Sequence, residues 1–484
     1  MLKKTVAFVL STSLLLQHAP LVYADNINLP DIGTTAASTL SIGQEMEMGD
    51  YSMRLLRADA PIINDPVLNQ YINDLGKKLV SKAESVQTPF HFYIIRSNII
   101  NAFAMFGGNV VIHSKLILDT NNESQLASVM AHEIGHVTQR HLARSMENQN
   151  RNSPYVWSAT LGSLLLALAN PEAGMMAMTS TIAGSTQSMI SFTQSNEQEA
   201  DRVGLRTLAK AGFDPYASSE FLQKLADETR FSSKQPEILL THPLPNSRLA
   251  DIRNRSMQYS KKDVAPSLNY YLAKARIAIL LNNNSNTGKL LLEDYKKINN
   301  EQSKMAMIYG AALTDYRDGN YQKAKQQLQP LLDNDPNNLW YIDLMTDIDL
   351  STNNNSAAIN RLQAALKKSP NSSALQLNLA NAYVQNKNYQ KAVSILHRYT
   401  FDHNDDTNGW ELLILAYGGL HSRAKEMSAQ AELIALQGQF QRSIQILQNA
   451  KNHTKGDQIL MSRIEARIKQ LQQLQQRYSQ YSKT

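Results

Sequence analysis

Apolar residues recur at helical spacing between Gln125 and Met146, where Leu126, Val129, Met130, Ile134, Val137 and Leu142 form a stripe broad enough to bury one helix. Asn122 followed by Gln125 supplies an N-terminal cap, so residues 132–136 fall mid-helix. A second helical pattern opens at Ser195 and runs to Gly212, a C-terminal cap. Upstream, Phe90 to Ile95 and Asn109 to Ile112 are β-favouring runs, and Gly107-Gly108 between Ala102–Met105 and Asn109 signals a hairpin. The elements predict a mostly helical α+β domain with a small sheet, whose edge strand precedes the first helix and could accept an extended polypeptide as one more strand.

The composition shifts near Asp263-Val264-Ala265-Pro266. Beyond it the chain is rich in Asn, Gln, Leu and Ala and resembles itself at intervals of 34: Ala324, Ala358 and Ala392; Leu328, Leu362 and Leu396; Pro336 and Pro370. Gly319-Asn320-Tyr321 and Lys387-Asn388-Tyr389 are matching turns two periods apart. This is the tetratricopeptide period, in which small alanines let paired helices approach and the pairs stack into a solenoid with a concave face. Less regular copies start near Leu268 and recur around Gly438-Gln439-Phe440. Leu460, Ile464, Ile468, Leu471 and Leu474 predict a final capping helix, too short and Gln-rich for a coiled-coil seam. The expected domains are therefore a first unit over 25–262 and an all-α tetratricopeptide solenoid over 263–484.

Residues 1–24 read as a signal peptide: Lys3 and Lys4, an apolar run from Val6 to Leu16, and Val22-Tyr23-Ala24 at the cleavage position. Export follows, and the chain, with no cysteine, needs no disulfides at its size. The formal net charge of +6 carries no concentrated Lys/Arg block, which argues against nucleic acid as a partner. From Asn152 to Asn196 only Glu172 is charged, and Met, Ala, Leu and Gly abound. Pro171, Gly174 and Gly184 break this insertion below bilayer length. Three readings stay open for it: a lid over a cleft, a peripheral membrane contact, or a buried hairpin.

Chemistry enters with His132-Glu133-Ile134-Gly135-His136. Residues four apart share a helical face, so both imidazoles reach one ion, the spacing of a zinc protease. Glu133 is placed beside the metal's open position as general base. A catalytic Zn2+ keeps three protein ligands, and a third His at the metzincin spacing is excluded by Gln139 and Leu142. His141 projects about 140° around a continuous helix from His136, away from the metal, and reads as a solvated or phosphate-facing residue. In Ser195-Asn196-Glu197-Gln198-Glu199-Ala200-Asp201, Glu197 and Asp201 share a face, while Glu199 lies about 200° from Glu197. Glu197 is assigned as third ligand, and Asp201 as acceptor of a ligand histidine's far N–H.

The pair H-E-I-G-H and N-E-Q-E-A-D, joined by a long insertion, resembles the M48 family of zinc metallopeptidases. Asn101-Ala102-Phe103-Ala104 followed by Gly107-Gly108, and Thr241-His242-Pro243-Leu244-Pro245, also match that family. Phe106 stands where many relatives carry proline. The resemblance covers about Asp50 to Arg253 and implies an α+β zincin-type metallopeptidase domain, with Asn101 aligning substrate on the edge strand. Arg248 belongs to the same motif, with no role derivable from spacing. His242, restrained before Pro243, has two competing roles: oxyanion donor, or a removable fourth ligand that closes a resting enzyme, which is the favoured expectation. Signal, catalytic unit and repeats together are similar in layout to periplasmic members of the family. That likeness implies unfolded or stalled outer-membrane β-barrel proteins as clients and docking of the repeats on the barrel assembly machinery. The alternative is a non-enzymatic periplasmic chaperone or adaptor acting through the array, against which the intact Glu133 argues.

Overall fold

The computed structural model describes residues 40–149, 193–231, 236, 238–282, 285–298 and 300–482. The signal peptide expected over 1–24, and the apolar insertion up to residue 192, lie outside the described residues. Helix α1 (Ile42–Asp59) starts at a capping box in which Ser41 and Gln44 satisfy each other's backbone N–H. Helix α2 (Pro66–Val80) begins with proline behind an Asp65 cap. Three strands follow: β1 (His91–Ile95), β2 (Ala102–Met105) and β3 (Asn109–His113), in the order β1-β3-β2. The central β3 runs parallel to β1 and antiparallel to β2, with Phe103 opposite Val111. The β2–β3 turn needs glycine at both positions: Gly107 and Gly108 have φ of 73° and 77°, and a Cβ on Gly108 would lie 1.9 Å from the Pro89 carbonyl oxygen.

The outer edge of β1 is closed, because the Asn73 amide bonds both the N–H and the carbonyl of Phe92, and Ile63 N–H donates to Ile94. Among the described residues no strand pairs with the outer edge of β2. This agrees with the edge strand expected before the His-Glu helix.

That helix is shorter than its apolar stripe predicts. After α3 (Ser114–Asp119), α4 spans Glu123–Thr138, with Asn122 Oδ1 accepting from Gln125 N–H, and α5 spans His141–Gln149. The break is at Arg140, whose φ of 53° no α-helix allows and which costs about 1–2 kcal/mol. The Arg140 guanidinium offsets this by bonding Glu45 Oε1 in the first turn of α1 at 2.7 Å and the Leu40 carbonyl just before that helix. Helix α6 (Gln194–Lys210) is capped by Thr193 and ended by Gly212 at φ 89°; α7 (Tyr216–Phe231), α8 (Ile238–Thr241) and α9 (Asn246–Ser256) complete the first unit.

The repeats begin with α10 (Leu268–Arg276), which runs into a π turn at Ile277–Leu281, and α11 (Ser285–Lys297). Four hairpins follow: α12 (Glu301–Arg317) with α13 (Tyr321–Asn334), α14 (Leu339–Ser351) with α15 (Asn355–Lys368), α16 (Ser373–Gln385) with α17 (Tyr389–Asp402), and α18 (Thr407–Gly419) with α19 (Arg423–Leu436). Ala324, Ala358, Ala392, Leu328, Leu362 and Leu396, the alanine and leucine columns of the 34-residue period, are all fully buried. The hairpin turns repeat in backbone even where the residue changes: Gly319, Asn353, Lys387 and His421 all take positive φ, again at intervals of 34. Helix α20 (Phe440–Lys451) and the closing α21 (Gln458–Ser482) end the array.

The array and the first unit share one continuous apolar core, which runs from Ile63 and Leu68 through Met130 and Tyr309 to Leu396. Polar ties stitch the same seam: Arg276 to Asp65 at 2.6 Å, Lys274 to the Thr120 carbonyl at 2.7 Å, and Ser372 to Gln70 at 2.7 Å. At the far end α21 covers Phe440, Ile444 and Leu447, and its Tyr478 and Tyr481 rings lie against Tyr51 of α1. The expected cap therefore also returns the array to the start of the chain. No described helix is long and apolar enough to cross a membrane.

Candidate metal centre

Two glycines decide how closely α4 and α6 pack. A Cβ on Gly135 would sit 3.0 Å from the Ala200 carbonyl oxygen, and one on Gly204 would sit 3.0 Å from Ala131 backbone atoms and from His132 Cα. With hydrogen at both positions the backbones nearly touch, and Glu197 comes over the imidazole pair on α4. His132 Nε2 and His136 Nε2 are 3.0 Å apart, and Glu197 lies 3.3 Å from His136 Nε2 and 3.5 Å from His132 Nε2. Helix α8 delivers His242, whose Nδ1 is 3.0 Å from Glu197 Oε1 and 3.4 Å from His132 Nε2. One donor atom from each of these four residues lies within 4.8 Å of all the others. Glu133 is buried beside them, neither carboxylate oxygen is hydrogen-bonded among the described residues, and His242 Nε2 is 3.5 Å away.

Asp201 sits one turn beyond Glu197 and accepts from His132 Nδ1 at 2.8 Å. Arg248 on α9 fixes that carboxylate with two bonds of 2.6 and 2.9 Å, contacts Glu197 at 2.6 Å, and donates to the His242 and Pro243 carbonyls. Arg248 thus ties both acidic residues to the loop that carries His242, a role that sequence spacing did not reveal. Burial pushes the Asp201 carboxyl up, but the Arg248 charge and the bonds from Arg248 and His132 outweigh it and hold the group down at about 2. Glu197 is likewise held well below the usual carboxylate range: burial opposes, and His242 and the other imidazoles prevail. Burial drives His136 well below its ordinary value, which keeps it neutral, the state a metal ligand needs. His132 goes the other way, to about 10, because the bonds to Asp201 and Glu197 overcome its burial.

His141 is not where the sequence placed it. The break at Arg140 turns its imidazole back under the metal helix, where it is fully buried with Nδ1 2.9 Å from His136 Nδ1. Its Nε2 is 3.1 Å from Glu199 Oε2, which also receives Arg144 at 2.8 Å. The solvated or phosphate-facing reading is therefore overturned; it assumed a continuous helix. Glu199 points away from the imidazole pair, as its angle on α6 predicts, and meets His141.

The model of peptidase family M48 matches residues 66–256, and a tetratricopeptide repeat model matches residues 350–413. The beta-barrel assembly-enhancing protease of Escherichia coli O157:H7 is 54% identical over 99% of this chain and 99% of its own length. The chain belongs to peptidase family M48. The Yersinia pestis beta-barrel assembly-enhancing protease is 51% identical over 94% of each chain. Metalloprotease LoiP of Escherichia coli (strain K12) is 26% identical over 45% of this chain and 83% of its own. As an M48 member this chain is a metallopeptidase with C-terminal tetratricopeptide repeats, the fold class expected.

The side chains present fit the metal that M48 membership implies. Imidazole nitrogens and one buried carboxylate converge to within 4.8 Å of one another, and Glu133 stands beside them with neither oxygen hydrogen-bonded among the described residues. Asn101, from the M48-like N-A-F-A stretch, lies just before β2; its carbonyl accepts from His113 N–H, while its fully buried side-chain amide makes no hydrogen bond among the described residues. A substrate on the β2 edge reaches that amide only if neighbouring residues move.

Proposed function

We propose that this chain is an exported, periplasmic zinc endopeptidase that assists assembly of outer-membrane β-barrel proteins and degrades those that stall. The observation that carries the enzymatic part is the buried Glu133 carboxylate, which accepts no hydrogen bond among the described residues, next to the four-residue donor cluster, since a purely structural metal site has no use for a base. The names of relatives similar over nearly the whole length support the client class. The residues at 1–24, read as a cleaved signal, support export, and the array from about residue 263 is the surface proposed to dock on the assembly machinery.

His132 and His136 would hold the metal through Nε2 and Glu197 through its carboxylate, with Asp201 and Arg248 orienting them. Zinc, when bound, supplies Lewis acidity toward the scissile carbonyl and the attacking water. Glu133 takes the proton of that water and returns it to the leaving amine. The open edge of β2 aligns an extended substrate through main-chain hydrogen bonds, which suits unfolded clients of varied sequence. Beside Glu133, Val129, Phe221, Leu222, Leu225 and Leu239 line an apolar recess that would take an apolar side chain next to the cleaved bond. His242 has Nδ1 toward the ligands and Nε2 toward Glu133, so it contacts both the ligand cluster and the base, which favours a resting state it closes over an oxyanion role. Replacing Glu133 by Gln tests the proposal: zinc is retained and proteolysis of an unfolded barrel protein is lost, whereas full complementation of a deletion by this variant would return the adaptor reading.

A further inference from the structure

Each of the two histidines on α4 has a second ring nitrogen that must be dealt with away from the metal. For His132 the arrangement is direct: Nδ1 meets Asp201, which Arg248 clamps. For His136 the described partner of Nδ1 is another imidazole, fully buried His141, and behind it stand Glu199 and Arg144.

We propose that His141, Glu199 and Arg144 form a positioning relay that holds His136 in the one tautomer able to bind the metal. The inference rests on the metal reading above. His136 Nε2 faces Glu197 and His132 Nε2, so a ligating His136 must keep a lone pair there and carry its proton on Nδ1. That N–H points at His141 Nδ1, which must then be the acceptor. His141 in turn carries its proton on Nε2 and donates it to Glu199, and the Arg144 charge keeps Glu199 an acceptor. Along these described contacts every donor meets an acceptor in only one direction. The reverse polarity would put a proton on His136 Nε2, against the metal. The two ligands are thus oriented by the same device, a carboxylate held by an arginine, with His141 spanning the gap because Glu199 projects away from the metal. The helix break is what makes this geometry available: a continuous helix would carry His141 off this face.

The test is zinc affinity of the full-length chain, read by competition with a chromophoric chelator, for wild type, His141→Phe, Glu199→Ala and the double variant, with folding checked by circular dichroism. Phe keeps the ring's shape and removes both nitrogens. Each single variant is expected to weaken zinc binding on the order of 10- to 100-fold, and the double variant no further than the weaker single, since a broken relay cannot be broken twice. Nitrogen-15 histidine spectra of zinc-loaded wild type should show the His136 proton on Nδ1. Glu199 is partly exposed, so Glu199→Ala carries the test if His141→Phe fails to fold. Losses that multiply in the double variant, or a Glu199→Ala chain that holds zinc as tightly as wild type, would overturn the relay alone. A wild-type chain that takes up no zinc would overturn the metal reading with it.

Discussion

Gly204→Ala adds one methyl where α6 crosses α4, and its effects on folding and on metal binding diverge. The new Cβ would lie 3.0 Å from the Ala131 carbonyl carbon and oxygen and from His132 Cα. Carbon atoms rest at about 3.5–4.0 Å, and all three neighbours are backbone, so the helices must part by roughly 0.5 Å. Overpacking of this kind costs about 1–3 kcal/mol, while replacing a helical glycine by alanine recovers about 1 kcal/mol. The metal-free chain should therefore lose no more than about 2 kcal/mol. Metal ligation tolerates only about 0.2 Å, and the displaced atom is the backbone of His132 itself, facing Glu197 from the other helix. Zinc affinity should accordingly fall by at least tenfold, read by chelator competition, with denaturant melts of the metal-free chain as the companion measurement. Wild-type zinc affinity, together with a metal-free chain more stable than wild type, would refute the claim that glycine contact sets the ligand geometry.

Three further expectations follow from the same contacts. His242→Ala should raise cleavage of an unfolded substrate, because it uncovers Glu133 and the ligand cluster; a drop in turnover would assign His242 to oxyanion binding instead. His132, raised to about 10 in the metal-free chain, contributes stability that is complete below its ordinary value of 6.5 and fades as pH rises through 10. Chelator-treated protein should thus melt lower at pH 10 than at pH 7, and zinc should bind more tightly as pH rises over that interval because it displaces this proton; a flat affinity would contradict it. Leu362→Ala, at a fully buried position of the array, should cost about 2–5 kcal/mol. Because one apolar core joins array and catalytic unit, the melt should stay a single transition, and a separate early transition for the array would show the shared core to be weak.

Much of this organisation is written in short-range pattern. The i, i+4 histidines, the caps at Asn122 and Gly212, the glycine pair before β3 and the 34-residue columns each depend on neighbours within a turn or a hairpin, so spacing along the chain is enough to locate them. His141 shows where that reasoning stops. Its direction depends on Arg140 leaving helical φ, and Arg140 leaves it because Glu45 and the Leu40 carbonyl, nearly a hundred residues earlier, hold its guanidinium. Arg248 is similar: nothing about its spacing announces that it would span Asp201, Glu197 and the loop at His242.

Local periodicity therefore placed the metal helix, its partner helix, the strands and the repeats, and which side chains share a face up to the break at Arg140, since those follow from 3.6 residues per turn and from alternation along a strand. The approach of α6 to α4, the turn of His141 beneath His136, the seat of His242 over Glu133 and the closure of the array onto α1 were decided by packing between remote segments. Those contacts depend on which surfaces fit together at atomic distance, as hydrogen at Gly135 and Gly204 permits, and a linear pattern carries no record of fit.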